Sequence, residues 1–182
     1  MYKRQAYEVL TNLSSTKNNI ILDFNYTAST RLILKQCGLS DEDIDNRLIK
    51  VHGEASNNDI IFGVEDNAGI KKEHVFLRKA YNIKYKALNF SELYDRIKSV
   101  AIFGHSLGET DHTYFNKLFQ ESCMYNKFST NNNKEFWLFY YKENGYHCMM
   151  QQLDSLTHNS LTSFRQYNRV NFINTDKEKV FI

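Results

Sequence analysis

The sequence predicts an α/β fold, a mainly parallel sheet with helices on both faces, in a single domain of 182 residues. Three observations carry this. The strand-like runs are apolar throughout rather than alternating, as strands buried on both faces are. They are short and end in polar residues or glycine, and they alternate along the chain with segments of helical period.

Taken in order, Arg4, Ala6, Tyr7, Val9, Leu10 and Leu13 read as an amphipathic helix over residues 4–13. "NNIILDFNYT" rises through Ile20, Ile21 and Leu22 to a buried strand with a polar end. Thr27 or Ser29 is placed to cap the helix "STRLILKQCG", which Gly38 closes. "DIDNRLIKVHG" and "NNDIIFGVED" read as the next short strands, and "EHVFLRKAYNIKYKALNF" and "SELYDRIKS" as helical, the latter starting at Ser91. "SVAIFGHS" is another apolar strand. Asp111 then caps "HTYFNKLFQESCMYNKF", in which Tyr114, Phe115, Leu118, Phe119 and Ser122 share one face. "STNNNKE" is a loop, "KEFWLFYY" a buried strand, "SLTSFRQYN" a helix and "RVNFIN" an edge strand. The motif-bearing core spans about residues 19–142, followed by a largely helical tail over 143–182.

Composition excludes several function classes. The net charge is +2 and no run of more than two basic residues stands out, so a basic face for nucleic acid is not expected. No stretch of 18 apolar residues predicts a membrane span, and the first residues lack the apolar centre of a signal peptide, so a cytoplasmic protein is expected. Cys37, Cys123 and Cys148 are odd in number and far apart, which predicts neither a zinc site nor a disulfide framework.

Chemistry concentrates where a parallel sheet binds ligands, at the carboxyl ends of its strands. Asn25, His52 and the turn from Gly104 to Asp111 fall there. Gly104-His105-Ser106-Leu107-Gly108 fits the G-x-S-x-G pattern of a serine-hydrolase nucleophile elbow. His112, His147 and His158 follow it, with Asp111, Asp154 and Asp176 as acids, but no oxyanion loop precedes it and bulky residues enter the helix. Catalysis by Ser106 therefore ranks third among the readings. His105 and His112 read as hydrogen-bonded turn residues rather than metal ligands. For Asn25 the plain alternative is an Asx-turn, and for His52 a solvated turn residue.

Three motifs, "DFNYT", "KVHG" and "IFGHSLGETDHTYF", resemble in this order the bacteriophage abortive infection AbiH family. In that family F-N-Y-T, H-G and G-H-S-L-G-x-T-D-x-x-Y-F segments recur. The resemblance covers about residues 20–120. AbiH proteins are similar, at a greater distance, to sirtuin-like NAD-binding domains of Rossmann-like fold, which carry Q-N-I-D, H-G and G-T-S-L. On that likeness Asn25 corresponds to the Asn at the nicotinamide ribose or its attacking water, and His52 to the general base. Phe24, Tyr26, Thr27, Gly53, Gly104, His105, Ser106, Leu107 and Asp111 line the ligand site, with Gly104 and Ser106 on the adenosine ribose.

The resemblance thus implies a phage-defence protein that binds NAD, as substrate or ligand, and cleaves its nicotinamide–ribose bond. A non-catalytic module sensing a nucleotide or a phage component is the alternative. No metal is implied. A nucleotide is the expected partner, a homo-oligomer and a phage-derived trigger remain open ones, and neither membrane nor nucleic acid is expected. The departures are specific. The family's Gly-Asn-Gly-Phe-Asp segment, which would form a phosphate-binding turn, does not precede residue 20, so the fold is expected to be incomplete at its N-terminus. The four-cysteine module and acyl-lysine groove of sirtuins are not visible, which argues against deacylation. Thr27 stands where sirtuins place Asp.

Overall fold

A computed structural model describes residues 2–16, 18–64, 68–82, 96–124 and 133–176. These residues fall into two compact units, one within residues 1–87 and one within 88–179, and each is an α/β assembly of parallel strands.

In the first unit, α1 (Tyr2–Ser14) precedes β1 (Ile21–Asp23), followed by α2 (Ser29–Gln36), α3 (Asp41–Asp45) and β2 (Leu48–Lys50). β1 and β2 pair in parallel with Ile21 beside Leu48 and Asp23 beside Lys50. The apolar stripe of each helix faces one small core: Leu34, Ile44 and Leu48 are buried, with Leu10, Ile21 and Leu39 packed against them. α2 ends as expected, with the Gly38 N–H donating to Lys35 O and that of Leu39 to Leu34 O. Its start differs from expectation. Ala28 occupies the cap position, and the Thr27 and Ser29 hydroxyls hydrogen-bond to each other at 2.9 Å instead of to the helix.

Three further segments differ from expectation. "DIDNRLIKVHG" is not all strand: Ser40 Oγ accepts from the Asp43 N–H at 3.1 Å and starts α3, in whose first turn Asp41, Glu42 and Asp43 favour the helix dipole. The strand begins only at Leu48. "NNDIIFGVED" forms no strand over its described residues, apart from an isolated bridge between Val64 and Arg78. The segment 72–81 is two short 3-10 turns rather than an α-helix. The expected helices over 83–95, and residues 129–132 of the expected loop, lie outside the described residues.

In the second unit, β3 (Ser99–Ile102), β4 (Glu135–Tyr140) and β5 (Arg169–Asn174) form a parallel sheet in that order. α4 (His112–Ser122) links the first two strands, and α5 (Lys142–Leu156) with α6 (Leu161–Tyr167) links the second two. β5 stands at the edge, as its sequence predicts. The expected helix face is the buried one: Tyr114, Phe115, Leu118, Phe119 and Ser122 are the buried residues of α4. Phe119, Phe136 and Phe164 join α4, β4 and α6 with ring centroids 4.8–5.6 Å apart. Tyr146 of α5 reaches Tyr140 and Phe172 on the same side of the sheet. Burying such rings contributes on the order of 2–3 kcal/mol each, so this aromatic cluster is a substantial part of the unit's core. Asn168 ties the helix ends together, its Nδ2 donating to Ser122 O and Phe164 O.

Both units are of the expected α/β class with parallel strands, compatible with a Rossmann-like fold. Among the described residues no helix is long and apolar enough to cross a membrane.

Candidate functional site

Asn25 and His52 lie just past the carboxyl ends of β1 and β2, two neighbouring parallel strands, where side chains can converge on a ligand. Phe24 and Tyr26, on either side of Asn25, both meet the His52 ring. Phe24 approaches edge-on at 5.5 Å and Tyr26 stacks at 5.9 Å. His52 is 6% exposed, so it is a buried residue and not a solvated turn residue. Asn25 and Tyr26 are exposed.

The loop from Asn25 to Thr27 is held by groups that sequence reasoning missed. Asp23 closes an Asx-turn: its Oδ1 accepts from the Asn25 backbone N–H at 2.9 Å and from Asn25 Nδ2 at 3.1 Å. Because a carboxylate only accepts, this contact fixes the Asn25 amide with its Oδ1 directed elsewhere. The turn residue is therefore Asp23, not Asn25. Lys50 Nζ donates to Asp23 Oδ2 at 2.9 Å, to Thr27 O at 2.7 Å and to Asn25 O, and Glu54 Oε2 lies 4.0 Å away. The ammonium's three N–H donors are all used, and both it and Asp23 are largely shielded from water. Lys50 latches the loop after one strand to the end of the next.

Gly53 takes a left-handed φ of +72°, and a Cβ there would overlap the Asp59 carbonyl. Asp59 Oδ1 accepts from the Glu54 N–H at 2.6 Å, and Glu54 accepts from the Ser56 hydroxyl. The H-G dipeptide thus needs its glycine for a close backbone approach, not for an open cradle.

The Gly104–Asp111 turn belongs to the second unit and follows β3 directly. Two of its residues take left-handed φ, Gly104 at +68° and Leu107 at +54°. Leu107 is fully buried, and both polar groups of its backbone are held by histidines. Its N–H donates to His105 Nδ1 at 2.9 Å, and its carbonyl lies 3.0 Å from His112 Nε2. The first contact places the His105 proton on Nε2, which faces Asp111 Oδ2 at 3.3 Å. The second, with Gln152 Oε1 also 2.8 Å from His112 Nε2, places that ring's proton on Nε2 as well. Asp111 stands at the cap position of α4 but makes no side-chain cap bond. Its own N–H closes a 3-10 turn onto Gly108 O, so the carboxylate reaches back to His105 instead of forward to the helix. Ser106 is exposed on this turn, while the imidazoles beside it are occupied in shaping the turn.

One further feature carries no sequence signal. A cavity of about 380 Å³ opens at the carboxyl ends of β4 and β5, lined by Tyr140, Lys142, Glu143, Tyr146, Asn174 and Asp176. Among the described residues no cluster of His, Cys, Asp and Glu is suited to a metal ion.

Neither a curated protein nor a solved structure matches the chain significantly. The family model for bacteriophage abortive infection AbiH does match, over residues 2–141, a span that takes in both motif-bearing strand ends and the histidine-held turn. The chain belongs to the bacteriophage abortive infection AbiH family.

Proposed function

We propose that this phage-defence family member binds NAD and hydrolyses its nicotinamide–ribose bond. One observation supports the reading above all: Asn25 and His52 stand at the carboxyl ends of two adjacent parallel strands, and Lys50 and Asp23 already order the loop that carries Asn25.

The chemistry asks for little nucleophilic force, because cleavage of an N-glycosidic bond passes through an oxocarbenium-like state similar in kind to that of glycoside hydrolysis. The C1′–N bond breaks and its electron pair leaves with nicotinamide. Water oxygen bonds to C1′, giving ADP-ribose, and the released proton passes to His52 and then to solvent. A neutral imidazole can accept that proton as a general base. Asn25, whose Nδ2 is taken by Asp23, presents Oδ1 to orient the water without adding charge.

Nicotinamide release from NAD by the full-length protein tests this. His52→Ala is expected to abolish it, and Asn25→Ala, at an exposed position, to reduce it without loss of fold. Equal turnover by wild type and His52→Ala would remove His52 from the mechanism. The burial of His52 favours a second reading, a module that senses a nucleotide or phage component without turnover. Calorimetric binding of NAD and ADP-ribose with no nicotinamide released decides for that one.

A further inference from the structure

Four rings form a ladder at the carboxyl ends of β1 and β2. Phe24 meets His52, His52 stacks on Tyr26 with an interplanar angle of 29°, and Tyr26 meets Phe62 at 5.4 Å and 38°. Exposure rises outward from 6% at His52 through 37% at Tyr26 to 70% at Phe62. Phe62 is not loosely displayed. The Ile61 N–H donates to His52 O, the Val64 N–H to Leu77 O and the Lys79 N–H to Val64 O, each at 2.9 Å. Gly63 permits that approach, since a Cβ on it would lie 2.9 Å from Lys79 N. A large apolar ring is therefore held in water by fixed backbone, against the hydrophobic preference for burying it. It stands next to the ring that stacks on the candidate base.

We propose that Phe62 and Tyr26 form a stacking platform for the pyridinium ring of NAD, an inference that rests on the NAD reading above. An aromatic face carries partial negative charge and attracts a cation set over it. The pyridinium of oxidised NAD is both planar and cationic, whereas the dihydropyridine of NADH and the adenine ring are neutral. The ladder runs from Phe62 through Tyr26 to His52, which sets the platform beside the candidate base. Because the backbone under Phe62 is already pinned, little ordering opposes binding. The platform accordingly selects the nicotinamide end of the dinucleotide, and its oxidised form.

Calorimetric titration of the full chain with NAD, NADH, nicotinamide mononucleotide and ADP-ribose tests this on wild type, Phe62→Ala and Phe62→Tyr. Phe62→Ala is expected to weaken NAD and nicotinamide mononucleotide by roughly tenfold, the scale of one lost stacking contact. It should leave ADP-ribose unchanged, and Phe62→Tyr should bind like wild type. Wild type should prefer NAD to NADH. Phe62 is exposed, so the variants should melt with wild type. Equal weakening of ADP-ribose would place adenine on the platform and overturn the assignment. Unchanged NAD affinity in Phe62→Ala would overturn the platform while leaving the NAD reading standing, whereas a wild type that binds no NAD ends both.

Discussion

Lys50→Met removes the latch while keeping most of the side chain's volume. In the wild type the ammonium uses all three N–H donors, on Asp23 Oδ2, Asn25 O and Thr27 O. The Lys50 and Asp23 side chains are 16% and 3% exposed, so the pair is a buried one. Deleting one partner of a buried pair costs about 3–5 kcal/mol, mostly because the other charge is left uncompensated. Asp23 would keep its two donors from Asn25, which places the loss near the lower end, about 3 kcal/mol. Amide hydrogen exchange reads this within the first unit. The Val51 N–H donates to Asp23 O and the Ala55 N–H to Tyr26 O, so both report on the latched loop. A loss of about 3 kcal/mol lowers their protection by about a hundredfold. Adding Asp23→Asn to Lys50→Met removes the stranded charge and should restore more than half of it. Lys35→Met, which breaks an exposed pair with Asp41, should leave Val51 unchanged. A drop of less than about fivefold in Lys50→Met, the range of solvated surface pairs, would show that the ammonium does not hold the loop and refute the latch.

Gly53→Ala should destabilise the protein by more than about 1–2 kcal/mol, since a left-handed φ and overlap with the Asp59 backbone act together, and Gly38→Ala, with open space around it, should melt closer to wild type. The Lys35 hydrogen bond to Asp41, reinforced by the Lys35 and Arg31 charges, holds that carboxyl below its ordinary pKa of 3.8. Its contribution to stability is therefore present above the unfolded value and lost as pH falls through the lower folded value, and Lys35→Met should move the Asp41 midpoint upward in a carboxylate NMR titration. Burial raises the Cys123 thiol pKa, and its Sγ donates to Phe119 O, whereas Cys148 is exposed. Iodoacetamide at pH 8 should alkylate Cys148 well before Cys123, as read by peptide mass.

Elements whose apolar residues follow one period over many positions were legible. α1 and β4 fall where the sequence places them, α4 starts where expected but ends at Ser122, short of the expected run to residue 128, and the five residues assigned to one face of α4 are its buried ones. "NNDIIFGVED" misled because its apolar run is shaped by tertiary contacts. Ile61 bonds back to His52, and the chain at Gly63 is crowded by Leu77 and Lys79, which no local pattern announces. The start of α3 was a readable miss, since Ser40 ahead of three acidic residues is a capping signal. At the site, the motifs drew attention to Asn25 and His52. Asp23 and Lys50 stand 27 residues apart with no spacing rule between them, and only the parallel pairing of their strands brings the charges together.

The Gly104–Gly108 turn shows how a correct motif match and a different chemistry coexist. A nucleophile elbow puts its strain at the serine, so that Oγ is thrust toward a base. Here the left-handed residues are Gly104 and Leu107, which flank Ser106. For a buried leucine this conformation is unfavourable and persists only where the surroundings fix it. His105 and His112 supply that support by binding the N–H and the carbonyl of Leu107, with Asp111 fixing the His105 tautomer. His112 and Asp111, the candidate base and acid nearest Ser106 in the chain, are thus engaged in shaping the turn. What the turn then offers is an exposed hydroxyl at a fixed place, with His105, His112 and Asp111 committed to the backbone around it.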